Sequence, residues 1–193
     1  MEEIREKLLL DVGVWVDLPD ELISLAFKQE SFPNIKREYK VDNRQLYEFF
    51  GDSVLQLLVS KILLETEKGP DLTPGTATEG RSLLVRNSTL KCLLDMKGLC
   101  YDSGDKYYAD CFEALIGIMY WWALKNVENP LEKIEQWLED NFQYVGLAKL
   151  ITEGSTDPCS DIKKKRKKST RKRSPRRSPP RPPRPAGAIR VPR

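Results

Sequence analysis

The segment Asn43–Gln56, NRQLYEFFGDSVLQ, decides how the rest of the chain is read. It sets Glu48 and Asp52 four residues apart among Phe49, Phe50, Val54 and Leu55. On a helix that spacing puts both carboxylates on one face. Charges inside an apolar run are costly to bury uncompensated, and a hard divalent cation is the most economical compensation. A second pair stands in KYYADCFEALIGIMYWW, residues 106–122, where Asp110 and Glu113 at i, i+3 again share a helical face. Four acids in two pairs on two apolar helices is the constellation expected for Mg²⁺-assisted phosphodiester hydrolysis. Acids at helical spacing more often mark a solvated face, but such a face carries more polar neighbours than either pair has here.

Longer blocks extend the pattern. Leu46, Glu48, Phe49, Gly51, Asp52, Ser53, Val54 and Leu55 resemble the hallmark of the ribonuclease III family, close to L-E-F-L-G-D-S-V-L, with Tyr47 where the family has leucine. Ala109, Asp110, Glu113, Ala114, Leu115, Ile116 and Gly117 resemble its second block, A-D-x-x-E-A-L-I-G, with Lys106 at a commonly basic position. Between them Leu84, Val85, Asn87, Thr89 and Leu90 resemble the L-V-x-N-x-T-L helix junction. The blocks stand in family order and span roughly Leu18 to Phe142.

The resemblance implies an all-α endonuclease domain that cuts double-stranded RNA, recognised by A-form shape rather than sequence, as a homodimer leaving short 3′ overhangs. It implies Mg²⁺, with Mn²⁺ able to substitute, held by Glu48, Asp52, Asp110 and Glu113. Asp52 and Glu113 are expected as direct ligands, Glu48 and Asp110 as shapers of the ligand shell. Phe49 matches an aromatic that enters the partner subunit; an ordinary core position is the alternative. Gln45, Pro74 and Gln29 depart from common family residues without removing a core ligand. The rival readings are a non-catalytic RNA-binding or assembly scaffold and a heterodimerising regulator. Degenerate scaffolds generally lose one of the four acids, and all four are present.

The formal charge of +3 over 193 residues conceals two unlike parts. Fifteen of the 32 basic residues and none of the 29 acidic ones fall from Ile162 onward, which leaves 17 basic against 29 acidic residues in the remainder. Residues 1–158 therefore read as an acidic catalytic body, and 159–193 as a disordered basic tail that cannot bury enough surface to order itself. Lys163, Lys164, Lys165, Arg166, Lys167, Lys168, Arg171, Lys172 and Arg173 are its candidate RNA contacts. Their affinity would be independent of sequence and steeply salt-dependent. A merely solubilising tail is the bland alternative. The chain leaves no room for a double-stranded-RNA-binding domain, so the tail is expected to stand in for one.

The basic cluster also suits nuclear import, and phosphorylation at Ser174 or Ser178, each before proline, would weaken its charge. An intracellular, membrane-free protein with reduced thiols is expected, since no apolar run reaches the roughly 20 residues of a membrane span. The acidic N-terminus does not resemble a signal peptide, and the absence of histidine removes the usual zinc and histidine-base chemistries.

Periodicity predicts a compact bundle of about seven to nine helices. Ile4–Leu10 is amphipathic, Pro19 opens a second helix, and Glu30–Asp42 reads as a loop. Asn43–Glu67 reads as the long central helix, buried in the middle of the bundle. Thr76–Arg86 and Ser88–Lys97 flank Asn87, a core stripe runs from Ala109 to Ala123, and Pro130 opens a further helix.

Overall fold

The computed structural model describes residues 1–27, 44–100, 104–157, 159–161 and 163–164. Among these run eight α-helices: α1 (Glu2–Lys7), α2 (Asp20–Ala26), α3 (Arg44–Glu65), α4 (Pro74–Val85), α5 (Asn87–Met96), α6 (Asp105–Asn126), α7 (Pro130–Phe142) and α8 (Tyr144–Thr152). Two 3-10 turns lie at Gly13–Trp15 and Gly69–Asp71, and the described residues contain no strand, so the all-α expectation holds. The loop expected over Glu30–Asp42 and most of the basic tail lie outside the described residues.

The two acid-bearing segments become α3 and α6, each of 22 residues and so about 33 Å long. The expected core stripe of α6 is fully buried, and Ala114 and Ile118 are buried as well. The helix at the centre is α6, packed against α2, α3, α5 and α7, rather than α3. One side of α3 is open: Leu46, Phe49, Leu57 and Leu64 are 56 to 73% exposed, while Leu55, Leu58, Val59 and Leu63 face the core. An all-apolar helix reads from sequence as enclosed, but here one apolar side has no neighbour among the described residues.

What sets α3 against α6 is a pair of glycines. A Cβ on Gly51 would run into the Glu113 carbonyl oxygen, and one on Gly117 would run into that of Tyr47. The helices therefore touch backbone to backbone at the level of the acids, an approach only glycine permits.

Helix boundaries follow local chemistry. Thr73, just ahead of Pro74, forms a capping box with Thr76 in the first turn, so α4 starts two residues earlier than its periodicity suggests. At the turn into α5, Thr89 Oγ1 donates to the Leu83 carbonyl at 2.8 Å and the Arg86 Nε–H donates to Thr89 Oγ1 at 3.1 Å. Helix α8 carries no advance signal. The chain reverses at Gln143, whose φ is 55°, with neither glycine nor proline to mark the break. Burial fixes the turn instead: Tyr144 is fully enclosed and its hydroxyl donates to the Leu84 carbonyl at 3.0 Å.

The expectation of reduced thiols fails at one pair. Cys92 on α5 and Cys159 are joined in a disulfide, Cα atoms 6.4 Å apart, while Cys100 and Cys111 remain thiols. Sequence spacing cannot show that the chain after α8 returns to α5, where Cys159 is 2% exposed. Closing a separation of 67 residues is worth about 4 kcal/mol on chain-entropy grounds. Denaturant unfolding of Cys159→Ser is expected to show a loss of about 2–4 kcal/mol, and reduction of the parent protein should reproduce it.

Candidate active site

Because α3 and α6 meet at the two glycines, the acids they carry are brought to one place. A carboxylate oxygen from each of Glu48, Asp110 and Glu113 lies within 4.8 Å of the other two. Asp52 stands outside that triad, where the Gln56 amide donates to its Oδ2 at 2.8 Å. Glu48 and Asp110, expected to shape the shell, are thus placed as closely as Glu113, whereas Asp52, expected as a ligand, is held to one side.

Two cations reach the cluster. Lys106 Nζ donates to both Asp110 oxygens, at 3.0 and 2.8 Å, from an exposed stem. Arg44 Nη2 lies 3.6 Å from Glu48 Oε2 and 3.8 Å from Asp110 Oδ2, linking one acid of each pair. Tyr107, whose ring faces the Arg44 guanidinium at 5.7 Å, is fixed by its hydroxyl, which donates to the Phe27 carbonyl at 2.8 Å. Arg44 and Gln56 escaped the sequence reading. The available signal was spacing: Arg44 is four residues before Glu48, and Gln56 four after Asp52.

The electrostatic consequence falls on Glu113. Burial, then the charges of Asp52, Asp110 and Glu48, push its carboxyl up to about 8 from an ordinary 4.5. A half-buried glutamate that resists ionisation beside three other acids is a group awaiting a cation. Oxygen donors in this arrangement fit a hard divalent ion such as Mg²⁺ or Mn²⁺.

A pH dependence follows. Without metal, the folded state keeps a proton that the unfolded chain releases near 4.5, so this stabilising contribution is complete below that pH and lost as pH rises through about 8. A cation must displace the same proton, so Mn²⁺ affinity is expected to climb from about pH 6 to about pH 8 and then level. Calorimetric titrations in buffers of different ionisation enthalpy would count the proton released; a flat affinity across that range would contradict the assignment.

Comparison with known proteins decides the family. Residues 45–121 match the model for the ribonuclease III domain. Proteins named Ribonuclease 3 are similar over longer stretches: that of Streptococcus gordonii is 30% identical over 173 residues, 83% of this chain and 69% of that protein. The chain belongs to the ribonuclease III family.

The Ribonuclease 3 of Streptococcus agalactiae serotype Ia is 34% identical over 132 residues, 62% of this chain, and that of Listeria welshimeri 30% over 152 residues, 72% of this chain. The chain spans 57% of the length of the first and 60% of the second. Within this ribonuclease III chain, both acid pairs lie inside the matched segment. Phe49 is 73% exposed, so it is not a core residue. Of the candidate RNA contacts, Lys163 pairs with Asp95 at 2.6 Å and Lys164 with Asp161 at 3.3 Å. Lys165, Arg166, Lys167, Lys168, Arg171, Lys172 and Arg173 lie outside the described residues. No helix among those described is long and apolar enough to cross a membrane.

Proposed function

We propose that this chain is an endoribonuclease that hydrolyses double-stranded RNA with Mg²⁺ or Mn²⁺, acting as a homodimer within the cell. The observation that carries the reading is the meeting of Glu48, Asp110 and Glu113 from two helices, with ligand oxygens within 4.8 Å of one another. These three would hold the cation, and Asp52, oriented by Gln56, would accept hydrogen bonds from its waters. Such an ion, when bound, lowers the pKa of water and offsets charge on the departing 3′ oxygen. Glu113 gives up its proton as the site loads, and Lys106, paired with Asp110 on the exposed side, is free to turn toward a phosphate. In the test, long double-stranded RNA is incubated with purified protein and Mg²⁺, beside a chelator and a Glu113→Gln control. Cleavage lost in both controls supports the enzyme, and RNA binding without Mg²⁺-dependent cleavage supports a scaffold instead.

Dimerisation is supported by the open side of α3, where Leu46, Phe49, Leu57 and Leu64 form an apolar row. A two-fold pair would set one site to each RNA strand. Phe49→Asp is expected to give a monomer in analytical sedimentation; an unchanged dimer would remove Phe49 from the interface.

The basic tract would add sequence-independent affinity to an acidic body that otherwise repels RNA, and it suits nuclear entry. Removing residues 165–193 is expected to weaken RNA binding about tenfold or more at low salt and to flatten its salt dependence. Binding unchanged across salt in a filter assay would refute the role.

A further inference from the structure

The acid cluster contains a positive charge packed into it. Lys106 is 75% exposed on a flexible stem and can turn away as a metal ion arrives. Arg44 is 11% exposed, lies 3.6 Å from the Cys111 sulfur, and faces the Tyr107 ring at 5.7 Å, so withdrawal would forfeit that packing. Its Nη2 is nevertheless within 4 Å of a Glu48 oxygen and of an Asp110 oxygen, two of the three groups that converge. A divalent ion entering the triad would therefore settle beside a guanidinium that is largely buried.

We infer that Arg44 is a resident counterion of the metal site. It stabilises the clustered carboxylates while no metal is bound, and it weakens divalent-ion affinity by like-charge repulsion in a partly dehydrated setting. The repulsion is reduced when an RNA phosphate joins the ion, because its negative charge attracts the ion and the guanidinium together and screens one from the other. Metal loading is thereby coupled to substrate binding, and by reciprocity RNA binds more tightly once metal is present. Arg44 is a positioning residue, acting through Glu48 and Asp110. The inference rests on the metal-site reading proposed above and adds to it the order in which metal and RNA are taken up.

The test is titration of the full chain with Mn²⁺ in the absence of RNA, following free Mn²⁺ by electron paramagnetic resonance. Arg44→Met is expected to bind Mn²⁺ about tenfold or more tightly than the parent, and Arg44→Lys, which keeps the charge, to stay close to it. A merely structural role for Arg44 predicts the opposite sign, since disorder at the site weakens binding. Melting provides a second readout: the Arg44→Met protein should melt lower in chelator and gain more on adding Mn²⁺. Arg44→Gln is a second neutral variant held to the same expectation, should the methionine variant fail to fold. Equal or weaker affinity in a folded neutral variant overturns the inference while leaving the metal site standing. No saturable Mn²⁺ binding by the parent protein sinks both.

Discussion

Glu113→Gln is expected to lower the rate of RNA cleavage by about 10³-fold or more while leaving the fold at least as stable as before. The activity loss follows from replacing one of three convergent carboxylates with a neutral amide, at a site where metal assistance is worth several kcal/mol of barrier, each 1.4 kcal/mol being tenfold. The stability expectation runs the other way. Burial and three neighbouring acids make ionised Glu113 unfavourable, its carboxyl being held near 8, so a neutral amide relieves the metal-free protein above that pH. Thermal melts in chelator at about pH 9 should place the variant at or above the parent, and the gap should close toward acid pH. A variant that is inactive because it has unfolded would contradict this account, since the same residue is assigned a functional benefit and a structural cost.

Together with Gly51→Ala, Gly117→Ala is expected to be among the most damaging small substitutions in the core. The added methyl would collide with the Tyr47 carbonyl, a backbone atom of α3 that cannot turn aside, so the helices must separate. Overpacking of this kind costs about 3 kcal/mol or more, against which alanine returns at most about 1 kcal/mol of helix propensity. Cleavage should fall about 10²-fold or more even where the protein folds, because the separation is between the helices that carry the acids. Gly146→Ala in α8 is the control. Its new methyl meets nothing nearer than 3.9 Å, and it should stabilise slightly. If denaturant unfolding ranked Gly117 and Gly146 together, the close approach of α3 and α6 would not be what builds the site.

These two predictions mark where sequence was sufficient and where it was not. Helical spacing alone paired Glu48 with Asp52 and Asp110 with Glu113, whereas only the structure shows that Gly51 and Gly117 are where the two helices touch. The burial of the Ala109–Ala123 stripe was readable because apolar residues recur there at 3.6-residue period. Sequence spacing could not show that Glu48, Asp110 and Glu113 make the closest group while the Asp52 carboxylate accepts from the Gln56 amide. Nor could it say which helix lies at the centre, since α3 and α6 are comparably apolar and α6 is the one packed against α2, α3, α5 and α7. The break at Gln143 before α8 and the Cys92–Cys159 link share one cause: each is fixed by a distant contact, Tyr144 with Leu84 or Cys159 with α5. Arg44 was passed over because an arginine at a helix start is usually a solvated residue.

The account depends on carboxylates from two separate helices converging to hold a metal ion, and diffraction from crystals soaked in Mn²⁺, recorded at a wavelength where manganese scatters anomalously, tests it most directly. The account predicts an anomalous peak in contact with Glu48, Asp110 and Glu113, absent from Glu113→Gln crystals soaked identically. A peak elsewhere, or none at the triad at saturating Mn²⁺, would contradict it.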